Sequence, residues 1–307
     1  MITNTDLVRY EKVFKLEYEK ASRELADNTV WNELAALGTE ITSDGAEEDY
    51  RWLGDLPEFA ELVGDIDLDD LGDYTYTIKN KDFGAAVKVR KNELEDDKMD
   101  IIRPRISGLP AGERRKWGKL IHDLIVNGHT NKAFDGVAFF SDASGVRLND
   151  NLLAGTISAG TPTLAQVAAD IKTVRAAGMK FKNTRGEVVG VVFDNFVVPP
   201  DLEILFRQLQ TSSADPTTSN SGTANPYRGL IKSVIVDPGL TDTNDFYAFA
   251  SGYSVGPFVR QKRRAVETVL DSTDINKNGT CFFKADFRGN VGYGLPILAA
   301  KVVSSAS

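Results

Sequence analysis

The sequence predicts an α+β fold on three observations. Near the N-terminus Leu7, Tyr10, Phe14, Tyr18, Ala21 and Leu25 recur at helical spacing, with Lys12, Lys15, Glu19, Lys20 and Glu24 around the rest of the circumference. Further on, Tyr74, Tyr76 and Ile78 alternate with Thr75, Thr77 and Lys79, and Val87 and Val89 with Lys88 and Arg90, which is strand period. From Thr163 the texture changes to helices alternating with strands. A first part with segregated helix and strands is thus followed by an α/β layer.

The first periodic run predicts an amphipathic helix over about 5–26 whose apolar stripe needs a partner, either the chain's own core or another chain. The polar stretch Thr39 to Gly45 reads as a linker. The alternating runs read as a two-stranded ribbon turning around Asn80 to Gly84. Such a ribbon is only marginally stable alone and must rest on something else. Its charged tip of Lys79, Lys81 and Asp82 suits a projection that rests on an adjacent subunit, with a solvated hairpin packed on its own domain as the alternative. Pro104 and Pro110 interrupt the next segment, so a strong helix is expected from near Glu113, with Trp117, Leu120, Ile121, Leu124 and Ile125 as its stripe and Asn127-Gly128 as a stop suited to positive φ. Leu164 to Gly178 is a helix, Val188 to Phe193 a buried strand, Asp201 to Gln210 a helix started by Pro199-Pro200, and Leu230 to Val236 and Phe246 to Ala250 further strands. Arg263 to Leu270 and Thr280 to Arg288 flank an Asn278-Gly279 turn, and Leu295 to Val303 is the last strand. No internal repeat is visible.

With 307 residues, 42% of them hydrophobic, the chain can bury a sizeable core. No run approaches the roughly 18 apolar residues of a membrane span, and Lys12, Lys15, Glu17 and Glu19 interrupt any signal-peptide core, so a product retained in the cytoplasm is expected. Cys281 is the single cysteine, which excludes an intrachain disulfide. A net charge of −8 argues against tight nonspecific duplex binding, which depends on lysine and arginine neutralising phosphates. It does not exclude nucleic acid as a weakly held neighbour.

Catalytic, cofactor and metal readings fail on spacing. Asp65, Asp67, Asp69, Asp70 and Asp73 suggest a calcium loop, but Asp70 stands where the turn needs glycine and Tyr76 where the bidentate carboxylate belongs. Asp274 to Gly279 comes closer, yet its twelfth position is Ala285. His122 and His129 have no nucleophile in a recognisable setting. GNVGYG at 289–294 lacks the strand, loop and helix order of a phosphate site. The basic cluster Arg260, Lys262, Arg263 and Arg264 has no interleaved aromatics for nucleic-acid stacking. Pairing with acidic groups of a neighbouring subunit, such as Glu93 to Asp97, competes with a solvated strand face.

The strongest signal is the order of motifs: YRWLGDLPEFAELVGD from Tyr50 to Asp65, the ribbon with the acidic Glu93-Leu94-Glu95-Asp96-Asp97, then KLIHDLIVNGHTNKAFDGVAFFSD from Lys119 to Asp142 with Phe134-Asp135-Gly136 and Phe139-Phe140. VVPPDLE (197–203), NPYRG (225–229), VIVDPGL (234–240) and FRGNVGYGLP (287–296) extend it. This order resembles the Mu-like family of tailed-phage major head proteins. The resemblance implies a Hong Kong 97-like fold: an N-terminal arm (1–49), an extended loop (74–96), a peripheral domain with a spine helix (50–73, 97–162 and 257–293) and an axial domain (163–256 and 294–307).

It also implies a non-enzymatic subunit forming hexamers and pentamers of an icosahedral head around double-stranded DNA, assembled in a bacterial cytoplasm without cofactor, metal or membrane. A chain that starts with an arm-like helix implies a separate scaffolding protein, beside a portal and a decoration protein. The candidate inter-subunit residues are Tyr10, Phe14 and Tyr18 on the helix, Lys79 and Lys81 on the ribbon, Glu95 and Asp96 in the acidic turn, and Arg263 and Arg264 in the basic cluster. Lys79 or Lys81 with Asn276, Asn278 or Asn290 supplies the residue types of a lysine–asparagine crosslink, but no motif places a glutamate beside them, so a non-covalent shell is expected. Two alternatives remain at this level: a nanocompartment shell of the same fold, and a soluble metal-dependent α/β enzyme.

Overall fold

The computed structural model describes residues 4–25, 30–50, 76–96, 98–142, 147–158, 160–183, 186–217 and 222–304. In chain order the elements are α1 (Asn4–Glu24), α2 (Val30–Ala35), β1 (Gly38–Thr42), β2 (Glu47–Asp49), β3 (Thr77–Lys79), β4 (Lys81–Arg90), α3 (Lys91–Glu95), α4 (Met99–Ser107), α5 (Leu109–Asn127), β5 (Leu152–Gly155), α6 (Leu164–Gly178), β6 (Phe193–Val198), α7 (Glu203–Thr211), β7 (Ser233–Val236), β8 (Phe246–Ala250), β9 (Phe258–Asp271), α8 (Ile275–Asn278), β10 (Thr280–Tyr293) and β11 (Ala299–Ser304). They form a five-stranded sheet in the order β5-β11-β8-β6-β7, a four-stranded sheet in the order β1-β9-β10-β4, and the pair β2-β3.

Side-chain alternation in the five-stranded sheet feeds two cores. Phe246, Ala248 and Ala250 of β8 face α6 and α7, while Tyr247 and Phe249 face α5 and α2. Phe196 and Val197 of β6 divide in the same way. A strand buried on both faces is therefore apolar at nearly every position. The long strand β10 passes from this second core, where it contributes Phe287, Val291 and Tyr293, to a third at its far end, where Cys281, Phe283 and Ala285 meet α1, α3 and α4.

Several expected elements are where the pattern put them, and several are not. Thr163 caps α6, its hydroxyl accepting from the Gln166 amide at 3.4 Å while Gln166 Oε1 accepts from the Thr163 amide at 3.0 Å. α5 starts four residues before Glu113, because Pro110 sits in its first turn, where a missing N–H costs nothing. Pro104 lies inside α4 rather than ending it. Gly128 does end α5, but at φ −65. The position needs glycine for space, since a Cβ would come within 2.6 Å of the Phe140 ring. The strand expected over 188–193 is displaced to Phe193–Val198 because Gly190 takes φ +72 and breaks the run.

Two further corrections concern the first part. Residues 39–45 are not a linker: β1 lies there, parallel to β9 with Thr39 opposite Val259. Nor do the two alternating runs pair with each other as a hairpin around Asn80 to Gly84. β3 pairs with β2, Thr77 opposite Asp49, and β4 pairs with β10 along its whole length. A single residue, Asn80, separates β3 from β4, which is too short for a reversal. The Tyr50 amide bonds the Tyr76 carbonyl at 2.9 Å, so the chain leaves and re-enters the described structure at one place. The Trp52 motif and the Asp65 to Asp73 run lie outside the described residues.

Candidate assembly surfaces

The N-terminal helix is built into its own subunit. Phe14 (0% exposed) stands edge-on to Phe283 with centroids 5.7 Å apart, and Tyr18 (7% exposed) donates to Glu113 Oε2 at 3.4 Å. Burial pushes the Glu113 carboxyl and the Tyr18 phenol upward, so both favour their neutral forms. Tyr10 bonds the Leu94 carbonyl at 2.9 Å, Ser107 bonds Glu17 at 2.9 Å, and Arg114 reaches the carbonyls of Leu25 and Ser22 at the helix C-terminal end. The stripe of Tyr10, Phe14 and Tyr18 thus faces inward. Only the opposite face, with Val8 and Leu16 exposed, is presented outward.

A polar network fixes the foot of the β2-β3 ribbon to β9. Gln261 is fully buried: its Oε1 accepts from the Tyr50 hydroxyl at 2.7 Å, and its Nε2 donates to Asn80 Oδ1 at 2.8 Å and to the Ile78 carbonyl at 3.2 Å. Asn80 Nδ2 donates to Ser43 Oγ at 2.9 Å and the Gly45 carbonyl at 3.0 Å. Glu48 closes the set, holding the Gly45 and Asp44 amides and the Ser43 hydroxyl, and these donors, Gly45 first, keep its carboxyl below the usual range. The Tyr50 phenol is pushed up to about 12 by burial and then by the Glu48 charge. Every buried polar group here has a partner, so the network fixes one orientation of the ribbon. Sequence reasoning missed Gln261, Asn80, Ser43 and Glu48. The one visible signal was Asn80 between two lysines inside an alternating run.

The basic cluster meets acids of its own chain. Arg264 pairs with Asp286, and with Glu267 at 3.6 Å; Arg263 meets Asp44 at 3.7 Å; Arg260 and Lys262 share Glu40 at 2.7 and 3.6 Å. On the same sheet Lys284 pairs with Asp271, whose carboxyl its hydrogen bond lowers to about 2, and Arg288 meets Asp82 at 3.7 Å. Lys79 meets Glu47 at 3.5 Å and Asp96 meets Lys98 at 3.3 Å. Beneath the charged face lies an aromatic stack: Phe83 on Phe287 at 5.3 Å and Phe287 on Trp117 at 5.0 Å, with Lys116 over Phe83 at 4.8 Å.

Among the described residues no group of three or more His, Cys, Asp or Glu side chains is arranged to hold a metal, and no helix is long and apolar enough to cross a membrane. Cys281 is buried, and burial pushes its thiol up to about 11, away from nucleophile chemistry. Asp274 to Gly279 forms a helical turn between β9 and β10.

Residues 7–164, just over half of the chain, match the model of the Mu-like prophage major head subunit gpT. The chain belongs to this family of phage major head subunits. Two curated relatives carry the same description in other words. The Mu-like prophage FluMu major head subunit of Haemophilus influenzae is 29% identical over 104 residues, 34% of each chain. The major capsid protein of Escherichia phage Mu is 28% identical over 110 residues, 36% of this chain and 35% of that one. The alignments thus span about a third of each curated relative.

Solved structures extend the likeness to the whole chain at the level of fold. The procapsid of bacteriophage JBD30 covers 100% of this chain and 77% of its own, with TM-score 0.58 and 19% identity. A phage-related protein from Bordetella bronchiseptica RB50 covers 93% and 95%, with TM-score 0.57 and 8% identity. A virus-like particle from Pyrococcus furiosus covers 96% and 99%, with TM-score 0.50 and 9% identity. The Mu-like head subunit therefore has the Hong Kong 97-like α+β fold of phage capsid proteins.

Proposed function

We propose that this chain is a structural, non-enzymatic subunit that self-assembles into the hexamers and pentamers of an icosahedral phage head enclosing double-stranded DNA. The family match over residues 7–164 carries the reading, and the whole-chain likeness to a procapsid subunit supports it. The fold by itself also fits a virus-like particle such as that of Pyrococcus furiosus, so the family match is what favours a phage head over a nanocompartment. Assembly takes place in the bacterial host cytoplasm, with a scaffolding protein, a portal and a decoration protein as partners and DNA as a nonspecific neighbour.

In this reading the arm, the loop and the peripheral and axial domains divide the chain at the boundaries given above, and α5 is the spine helix. Lys79, Lys81, Glu95, Asp96, Arg263 and Arg264 lie on the surfaces that meet neighbours. The intrachain pairs of Lys79, Asp96, Arg263 and Arg264 are exposed enough that each contributes about 0–1 kcal/mol, so they can exchange partners at little cost. Tyr10, Phe14 and Tyr18 act indirectly, by holding the outer face of α1 in place.

Negative-stain microscopy of the purified protein tests the proposal. Closed shells of uniform size are expected, and a monodisperse small species with metal-dependent turnover would overturn it. Shells that never contain nucleic acid when produced beside a packaging apparatus would favour the nanocompartment instead. Cohesion comes from apolar area buried at many repeated contacts, about 25 cal/mol per Å². A single band near the 33.6 kDa monomer on denaturing electrophoresis of mature particles is therefore expected, and a covalent ladder would refute the non-covalent shell.

A further inference from the structure

His122 lies on α5, and its Nδ1–H donates to Asp237 Oδ2 at 2.6 Å. Asp237 follows β7 directly and is completely buried, whereas the His122 side chain keeps 16% of its surface exposed. The turn holding the carboxylate is itself tied down: the Asp237 amide bonds the Val198 carbonyl of β6 at 2.9 Å, and Asp237 Oδ1 accepts from the Gly239 amide at 2.9 Å. Gly239 lies so close to the imidazole that a Cβ there would come within 2.5 Å of its Cε1. The pair therefore joins α5, which packs on the long sheet through Trp117 and Phe287, to the end of the five-stranded sheet.

We propose that His122 and Asp237 form a proton-controlled latch between α5 and the β7 end of the five-stranded sheet. Protonated, the imidazole is a cation against a buried carboxylate; neutral, it keeps a hydrogen bond but loses the ion pair, and the buried charge of Asp237 is left less compensated. The other groups around the ring come from each neighbouring element. Lys119 and Asp123 are on α5 itself, the first opposing and the second favouring the cation. From α2 the Trp31 ring stands edge-on at 6.3 Å, with Lys119 Nζ 5.8 Å above its own face. The acid of α2, Glu33, has its carboxyl pushed upward by burial, against the smaller pull of the Arg207 charge of α7. On the sheet side Asp242 and Asp245 share the acidic edge with Asp237, and all three push the Tyr247 phenol upward after burial has done so.

The hydrogen bond to Asp237 raises the His122 pKa above the ordinary imidazole value, against burial. A folded-state pKa above the unfolded one gives stability that is fully present below the unfolded value of about 6.5 and is lost as pH rises through the folded value. The latch is thus closed in mild acid and loosens toward alkaline pH. It rests on the subunit's own geometry and is independent of the head-subunit reading, so the unassembled full-length chain is the sample.

The test is a histidine-ring NMR titration, in which only His122 and His129 contribute signals. The signal absent in His122→Gln should titrate with a midpoint above about 6.5, and that midpoint should fall in Asp237→Asn. Amide protection in the turn at 237–240 should decline as His122 loses its proton, and should be low and independent of pH in His122→Gln. A midpoint at or below about 6.5, or wild-type protection that does not change across the titration, would overturn the latch. If Asp237→Asn fails to fold, the wild-type titration and His122→Gln still decide.

Discussion

In β8 every residue is buried, Phe246, Ala248 and Ala250 into one core and Tyr247 and Phe249 into another. In β10 burial alternates: Cys281, Phe283, Ala285 and Phe287 are inside, while Phe282, Lys284, Asp286 and Arg288 between them keep part of their surface in solvent. The first sheet is finished within one chain. The second has helices on one face and a charged ladder on the other, with β4 as a ten-residue outer strand carrying exposed Lys81, Asp82, Lys88 and Arg90. Charges on an edge strand discourage uncontrolled pairing. The contrast teaches where burial is concentrated and where charge is: the five-stranded sheet is apolar on both faces at β8, while the long sheet keeps one face of exposed ion pairs.

The largest expected effect lies in the closed sheet. Phe206→Ala removes a ring packed 5.1 Å from Phe246 and 5.6 Å from Phe196, and should cost about 3–5 kcal/mol in urea unfolding of the unassembled chain. A loss below about 1 kcal/mol would show that this core is not closely packed. Next comes Phe14→Ala at the far end of the long sheet, expected at about 3 kcal/mol because a helix with one face exposed can relax partly into the void. Full stability of the unassembled variant with a collapse in particle yield would instead show α1 leaving its subunit to act on a neighbour. Smaller again is Gln261→Leu, which removes the acceptor of the Tyr50 hydroxyl and the donor to Asn80 Oδ1 and should cost about 1–3 kcal/mol. Unchanged stability there would mean the ribbon foot is held by β1 and β4 pairing alone.

The same contrast explains what the sequence made legible. β8 and α6 were readable because a doubly buried strand and a capped helix leave nothing for tertiary context to change. β9 and β10 were recognised but cut short: the expected ends, Arg263 and Arg288, gave way to Phe258 and Tyr293, because the glycines at 289, 292 and 294 look like breaks. Gly289 is required within the strand, since a Cβ there would meet the Gln261 carbonyl at 2.4 Å. The hairpin was misplaced because alternation reports which face a residue occupies and not which strand it pairs with. β1, made of Gly38–Thr42, carries a single large apolar residue, Ile41, and its strand character comes from β9 beside it. Motif order identified the family, but no pattern showed that Phe14 and Tyr18 pack into their own subunit, or that His122 and Asp237 meet across 115 positions of sequence.

The smallest effect is the most informative about the open face. Arg264 and Asp286 form an ion pair whose side chains keep 41% and 39% of their surface exposed. In the unassembled chain a double-mutant cycle with Arg264→Gln and Asp286→Asn should give a coupling of about 0–1 kcal/mol, because water screens both partners and two long side chains lose freedom to meet. Raising the salt from about 0.1 M to about 1 M shortens the screening length from about 10 Å to about 3 Å and should erase most of that coupling. Within a shell the outcome depends on what covers the face. If a neighbouring subunit lies over it, the pair is desolvated, and losing one partner strands a buried charge. The single variants should then depress shell heat stability far more than subunit stability, with the double variant partly restoring it. Equal coupling in subunit and shell would show that the face stays open to solvent in the particle, and would move the search for the neighbour's footprint to the outer face of α1 and the β4 edge.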